Sequence, residues 1–185
     1  MELLGTQYIG ITAKALGKET FHAVDPRTGE PLAALFHEAL EEEVNQAVEL
    51  AEKAFKVYSN ISVGKRARFL ETIAEEIEAL DHPLLQQAES ETGLPFPRLK
   101  GERGRTVNQL KLFAQVIREG SWVDARIDTA IPDRQPIPRS DLRHILVPLG
   151  PVSVFGANAE RERALQPRAD EDAESKVVPA GRLWR

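Results

Sequence analysis

Ile145-Leu-Val-Pro-Leu-Gly-Pro-Val-Ser-Val-Phe-Gly-Ala157 decides how this 185-residue chain is read. Ile145, Leu146, Val147, Leu149, Val152, Val154 and Phe155 form an apolar run punctuated by Pro148, Gly150 and Pro151. A β-branched run bounded by Gly and Pro suits a parallel strand covered on both faces. Prolines are tolerated where such a strand begins. Gly156 then permits a tight strand-to-helix turn and lets a ligand approach the backbone. The segment therefore predicts a buried strand entering a nucleotide-binding fold. Many α/β proteins contain a strand that ends in Gly, so a buried core strand without a ligand is the alternative.

Upstream of that run the chain reads as helical and amphipathic. Leu40, Val44, Ala47, Val48, Ala51, Ala54 and Phe55 recur at helical spacing, with Glu and Lys opposite. Ser62 is an expected N-cap for a second helix carrying Ala67, Leu70, Ile73, Ala74, Ile77 and Leu80. A third helix is expected from Asp81 to Thr92, capped by the polar pair Asp81-His82 and stopped by Gly93. A fourth carries Val107, Leu110, Phe113, Ala114 and Ile117 and ends at Gly120. These three stripes predict core faces. Residues 19–24 and 31–36, joined by Asp25-Pro-Arg-Thr-Gly29, read as a hairpin. Val123, Ala125, Ile127, Thr129 and Ile131 alternate with polar residues and predict a half-buried strand.

Composition bounds the chemistry. A net charge of −5 speaks against nucleic acid as a partner, because phosphate binding needs a basic face. No apolar run reaches the ~20 residues of a membrane helix, and the N-terminus shows no basic n-region, so no membrane contact and a cytoplasmic location are expected. The chain has no cysteine, which excludes a disulfide scaffold. His22, His37, His82 and His144 are scattered without metal-ligand spacing, so no metal site is expected. Glu41, Glu42 and Glu43 read as carboxylates favouring a helix dipole. Gly101-Glu-Arg-Gly104 lacks the flanking strand of a phosphate loop and reads as an exposed helical turn.

Four separated pieces, in order, resemble the N-terminal part of the aldehyde dehydrogenase superfamily. They are Asp25-Pro-Arg-Thr-Gly-Glu30; Lys65-Arg66-Ala67 with Leu70 and Ile73-Ala74; Glu91-Thr92-Gly93-Leu94-Pro95 with Glu102; and Pro148-Leu149-Gly150-Pro151-Val152 with Phe155-Gly156-Ala157. Gly101-Glu-Arg-Gly-Arg-Thr-Val-Asn-Gln-Leu110 and Pro132-Asp-Arg-Gln-Pro136 are most similar to the 2-oxoglutarate semialdehyde (2,5-dioxovalerate) dehydrogenases. The resemblance implies an α/β fold: a helical module with hairpin and bridging strand over 1–144, the first Rossmann-type strand of a nucleotide-binding domain at 145–157, and an unmatched, disordered tail at 158–185. It implies cofactor contact by Phe155, Gly156 and Ala157, with NAD or NADP as the family's cofactor and a small aldehyde as its substrate. It also implies an oligomer contact through part of 122–144, where the bland reading is an ordinary edge strand.

The resemblance stops at residue 158. Family members continue into Ser-Asn-Phe-Pro, whereas this chain has Asn158-Ala159-Glu160-Arg161, with Ala159 where the family's oxyanion-stabilising Asn would stand. Through Arg185 charged residues interleave with Ala, Pro and Gly, a composition too poor in apolar residues to build a core. A frameshifted or truncated gene product is the expectation. The family's reaction needs a cysteine thiolate to attack the aldehyde and a glutamate to activate water, both beyond the matched region. The chain alone is therefore expected to lack catalytic residues, to bind no dinucleotide by itself and to be marginally stable or prone to aggregate. The alternative is a non-catalytic interaction protein that pairs with an intact dehydrogenase.

Overall fold

The computed structural model describes residues 3–155. Two antiparallel hairpins come first. In one, β1 (Gln7–Ile9) pairs with β2 (Thr12–Lys14), and in the other, β3 (Thr20–Val24) pairs with β4 (Pro31–His37). The second is the hairpin expected from the sequence. Phe21 stands opposite Phe36, and their rings stack at 5.6 Å. The two hairpins are stitched together by His37 N–H donating to Gly5 O at 3.0 Å and Gln7 Nε2 donating to His37 O at 2.6 Å. That approach needs glycine. A Cβ on Gly17 would lie 1.9 Å from Glu38 O, and one on Gly5 1.8 Å from Leu35 O.

Four helices follow: α1 (Glu41–Tyr58), α2 (Val63–Ala79), α3 (Asp81–Thr92) and α4 (Phe96–Glu119). Their ends obey local chemistry. The Ser62 hydroxyl accepts from Lys65 N–H, as an N-cap should. Gly93 and Gly120 end α3 and α4 in the left-handed conformation, at φ +67 and +89. Pro97 occupies the first turn of α4, where its missing N–H costs nothing. The expected Asp81-His82 cap is not formed: Leu80 is the N-cap of α3, without a side-chain cap hydrogen bond. Asp81 instead meets Arg103 at 3.0 Å, and His82 lies edge-on to Phe96 at 5.0 Å.

The core sits where α2 packs on α4. Ala67 and Ala74 from α2 and Val107 and Ala114 from α4 are buried, and Leu85 of α3 and Leu99 of α4 extend that core. Small residues on both sides let the two backbones come close. Glu71–Arg118 and Glu78–Lys111 bridge the pair, and their numbering shows that the helices run antiparallel. The stripes of α2 and α4 are thus core faces in part, with Leu70, Ile73, Leu110 and Ile117 half-buried and Phe113 exposed.

The stripe of α1 departs from expectation. Val44 is 52% exposed and Val48 57%, while Ala47, Ala51 and Ala54 are exposed as well. The helical period is correct, but no described element lies across that face. The one deeply buried residue of α1 is charged: Glu43, at 1% exposure.

Beyond α4, a single 3₁₀ turn (Ser121–Val123) leads to a ribbon of β5 (Arg126–Asp128) and β6 (Leu142–His144), followed outward by an isolated bridge between Ile131 and Arg139. Every residue of both strands is exposed. The half-buried strand expected over 123–131 is therefore shorter and unburied, because a two-stranded ribbon has no second layer to cover its apolar face. A similar correction applies to Ile145–Phe155, which carries no regular secondary structure and is exposed apart from the half-buried Gly150. A buried parallel strand is a property of a sheet, and no described strand lies beside this run. Gly156, Ala157 and the tail expected to be disordered lie outside the described residues.

Candidate functional site

The motif residues resolve into joints. In Asp25-Pro-Arg-Thr-Gly29, the Asp25 carboxylate accepts from Arg27 N–H at 2.9 Å and from the Arg27 guanidinium at 2.8–3.0 Å. Gly29 N–H closes the turn on Asp25 O at 2.8 Å. The guanidinium holds the Asp25 carboxyl below its ordinary pKa, first through the side-chain hydrogen bond. Pro26 and Arg27 lie 3.1 Å from where a Cβ on Gly93 would stand. Two sequence pieces more than sixty residues apart therefore meet, and the glycine of the second makes room for the turn of the first.

Arg66 is a second joint. Its Nη2 donates to Ser59 O at 3.1 Å and, more weakly, to Tyr58 O and Ile61 O at 3.5 Å. Its guanidinium carbon lies 5.7 Å from the centre of the Tyr58 ring. Carbonyls at a helix C-terminus lack intrahelical donors, and this side chain from the next helix supplies one. Arg66 thus fixes the turn between α1 and α2.

Glu43 is a third. Its Oε2 accepts from Leu40 N–H at 2.9 Å, and its Oε1 from Leu16 N–H at 3.3 Å. One buried carboxylate therefore closes the first turn of α1 and ties it to the loop after β2. The sequence groups it with Glu41 and Glu42 as surface charge. The missed signal is its place three residues after the cap, the position from which Glu reaches back.

Beside Arg66 lies an open groove of about 410 Å³ whose lining includes Phe55, Tyr58, Phe113, Trp122, Pro148 and Gly150. Its wall is apolar. Arg66 Nε and Trp122 Nε1 are buried there without hydrogen-bond partners among the described residues. A second opening, of about 450 Å³, runs past Leu16, Lys18, Glu38 and Leu40 on the Glu43 side of the molecule.

Of the residues expected to touch a cofactor, Phe155 is 92% exposed, and Gly156 and Ala157 lie outside the described residues. The histidines do not converge. His22 Nδ1 lies 2.8 Å from Leu32 O and His37 Nδ1 3.0 Å from Gly17 O, while His82 packs on Phe96 and His144 belongs to β6. Among the described residues no group of three or more His, Cys, Asp or Glu is placed to hold a metal ion. Gly101-Glu-Arg-Gly104 lies within α4 and is helical, as its lack of a flanking strand predicts. No described helix is long and apolar enough to cross a membrane.

Comparison with known proteins gives this geometry a context. Residues 12–157 match the model of the aldehyde dehydrogenase family. The chain is 52% identical over 159 residues to alpha-ketoglutaric semialdehyde dehydrogenase 2 of Azospirillum brasilense, covering 85% of this chain and 30% of that protein. It is 44% identical over 154 residues to alpha-ketoglutaric semialdehyde dehydrogenase of Acinetobacter baylyi, covering 83% and 29%. Among solved structures, a betaine aldehyde dehydrogenase of Staphylococcus aureus in complex with NAD+ superposes with a TM-score of 0.63 at 21% identity, over 71% of this chain and 27% of that one. The chain thus spans about 30% of the length of these two curated relatives.

Proposed function

The chain belongs to the aldehyde dehydrogenase family, and from that membership we propose that it supplies the N-terminal part of an NAD(P)-dependent enzyme oxidising 2-oxoglutarate semialdehyde to the acid. The observation that carries the substrate is the 52% identity to a relative named for that aldehyde, spread over 85% of the chain. Within this reading, residues 1–144 are a helical module and 145–157 the entry to a nucleotide-binding domain.

The proposal includes that the chain alone does not turn over. The family's nucleophile is a cysteine thiolate, and none of the 185 residues is cysteine. Nor do the described residues suit a dinucleotide. Phe155 stands exposed, the groove is apolar, and Arg66, its one charged lining residue among those described, is committed to the carbonyls that end α1. No chemical step is therefore assigned to residues of this chain. Their part is to build a rigid shoulder on which the catalytic part of a family member rests.

A chimera tests the substrate reading. Residues 12–157 of this chain would replace the aligned segment of the Azospirillum brasilense relative. Oxidation of 2-oxoglutarate semialdehyde, followed through NADH or NADPH formation, is expected to persist. A folded chimera that prefers an unrelated aldehyde would overturn the assignment. The unmodified 185-residue chain is expected to form no reduced nucleotide in the same assay, and turnover that survives stringent purification would refute its inactivity.

A second reading is favoured by the β5–β6 ribbon, whose apolar side chains Ile127 and Leu142 are exposed. We propose as the alternative that 122–144 pairs a non-catalytic chain with an intact dehydrogenase. Co-purification with a full-length relative, lost on shortening the ribbon, would separate this reading from the first.

A further inference from the structure

Residues 3–18 lie against the end of β4 and the start of α1 as a strap, and polar contacts hold them there. Near its beginning Gly5 O accepts from His37 N–H at 3.0 Å, and Gln7 Nε2 donates to His37 O at 2.6 Å. Near its end Leu16 N–H donates to the buried Glu43 carboxylate at 3.3 Å, and Gly17 O lies 3.0 Å from His37 Nδ1. Between them Lys14 Nζ donates to Gln46 Oε1 at 2.5 Å. His37 thus meets the strap through its N–H, its carbonyl and its ring. Glycine makes both crossings possible, because a Cβ on Gly5 or Gly17 would collide with the carbonyl oxygen of Leu35 or Glu38. Burial adds little to these contacts. Ile9, 5% exposed and beside α1, is the one buried aliphatic side chain of the strap, while Leu4, Tyr8, Ile11 and Leu16 are all more than half exposed. Thr6 Oγ1 and Gln7 Oε1 are buried without hydrogen-bond partners among the described residues, so closing the strap takes water from two polar atoms and gives nothing back. Where residues 16–18 face 38–41, the packing leaves an opening of about 450 Å³.

We propose that residues 3–18 are a latched strap that opens as one unit while α2 and α4 stay packed, with His37 and Glu43 as the latch. Few buried apolar contacts and unsatisfied polar atoms mark a segment whose opening costs less than global unfolding. The α2–α4 contact is the opposite case, with Ala67, Ala74, Val107 and Ala114 almost wholly removed from solvent. Opening changes two places. The outer edge of β4 at His37 loses its partners and becomes free to pair with another strand. Glu43 Oε1 is released from Leu16 and meets water, while Oε2 keeps Leu40 N–H, so α1 keeps its cap. The strap therefore switches one sheet edge between covered and open and leaves the helices as they are.

Amide hydrogen exchange of the 185-residue chain tests this. In the unmodified chain the Leu16 and His37 amides are expected to exchange at least about tenfold faster than those of Val107 and Ala114. A smaller ratio means that the strap opens only when everything does, and overturns the proposal. Gly17→Ala sets a methyl group against the Glu38 carbonyl and should hold the strap open. Exchange at Leu16 and His37 should then rise by at least about tenfold, with the Val107 and Ala114 amides unchanged and helix content by circular dichroism intact. Gln7→Ala removes one latch contact and is the milder variant, expected to raise exchange at His37 about three- to tenfold. It decides the matter by the same comparison where Gly17→Ala cannot be purified. Core amides that accelerate in step with the strap, or helix content lost with it, overturn separate opening. Strap amides that exchange no faster in either variant overturn the latch. No aldehyde or nucleotide enters the test, so its failure leaves the substrate reading untouched.

Discussion

Removing the Arg66 guanidinium would leave the carbonyls of Tyr58, Ser59 and Ile61 without the donor that now closes the end of α1. Arg66→Ala is expected to cost about 0.5–1.5 kcal/mol, the net range for a hydrogen bond between partly exposed groups, read as a lower urea midpoint. Arg66→Lys should recover only part of that, because a single ammonium cannot reproduce a planar fork spread over several carbonyls. Glu43→Gln keeps the side-chain volume but leaves one carbonyl oxygen where two carboxylate oxygens now accept from Leu40 and Leu16. A loss of about 1–2 kcal/mol is expected for that substitution and more for Glu43→Ala, measurable by the same denaturation. At this scale the sequence was only half legible. Arg66 was recognisable as a motif residue but not as the cap of the preceding helix, since its partners are backbone carbonyls that carry no residue identity. Glu43 was hidden among three adjacent glutamates, only one of which the fold turns inward.

The α2–α4 pair predicts how the module responds to packing and to acid. Ala74 and Ala114 are fully buried where α2 packs on α4, so Ala114→Leu is expected to destabilise by about 1–3 kcal/mol through overpacking, seen as a lower Tm. Arg118 holds the Glu71 carboxyl below its ordinary pKa through their side-chain hydrogen bond, and Arg103 does the same for Asp81. A carboxyl lowered in the folded state lends stability that is complete above its unfolded value, about 4.3 for Glu and 3.9 for Asp, and lost as pH falls through the lowered folded value. Glu71→Gln cannot titrate. The stability gap between it and the parent chain should therefore be small but present at pH 7 and should close in strong acid; a gap that widens below pH 4 would refute the sign. Both pairs are exposed to solvent, so salt should shrink the gap as well. Helices are the elements that sequence reading locates best here. Their period is written in the chain itself, and α3 runs from Asp81 to Thr92 as expected. What covers a helix is not written there, which is why the stripe of α1 was legible and its exposure was not. Strands fare worse: the alternation at 123–131 and the apolar run at 145–155 describe faces whose burial belongs to sheets made with other segments.

For the molecule as a whole, the uncovered surface sets the solution behaviour. Each large aliphatic side chain left in water forgoes roughly 1.5–3 kcal/mol of burial, and several are affected here, against a typical net stability of about 5–15 kcal/mol. The purified chain is expected to bind ANS strongly and to self-associate as its concentration rises; a monodisperse sample with a sharp, cooperative thermal transition and no dye binding would contradict this. The antiparallel register of α2 and α4 has a further meaning in time. Its partners lie on two helices that both end by Glu119, with Glu78 and Lys111 separated by 33 residues and Glu71 and Arg118 by 47. Contacts confined to that span need nothing synthesised after it, and the cost of closing such a loop grows only slowly with its length. In a full-length relative the corresponding helices would leave the ribosome first and could set before the nucleotide-binding part is synthesised. During that interval the bare stripe of the first helix would be a waiting template, and the place where a chaperone would have to hold the nascent chain.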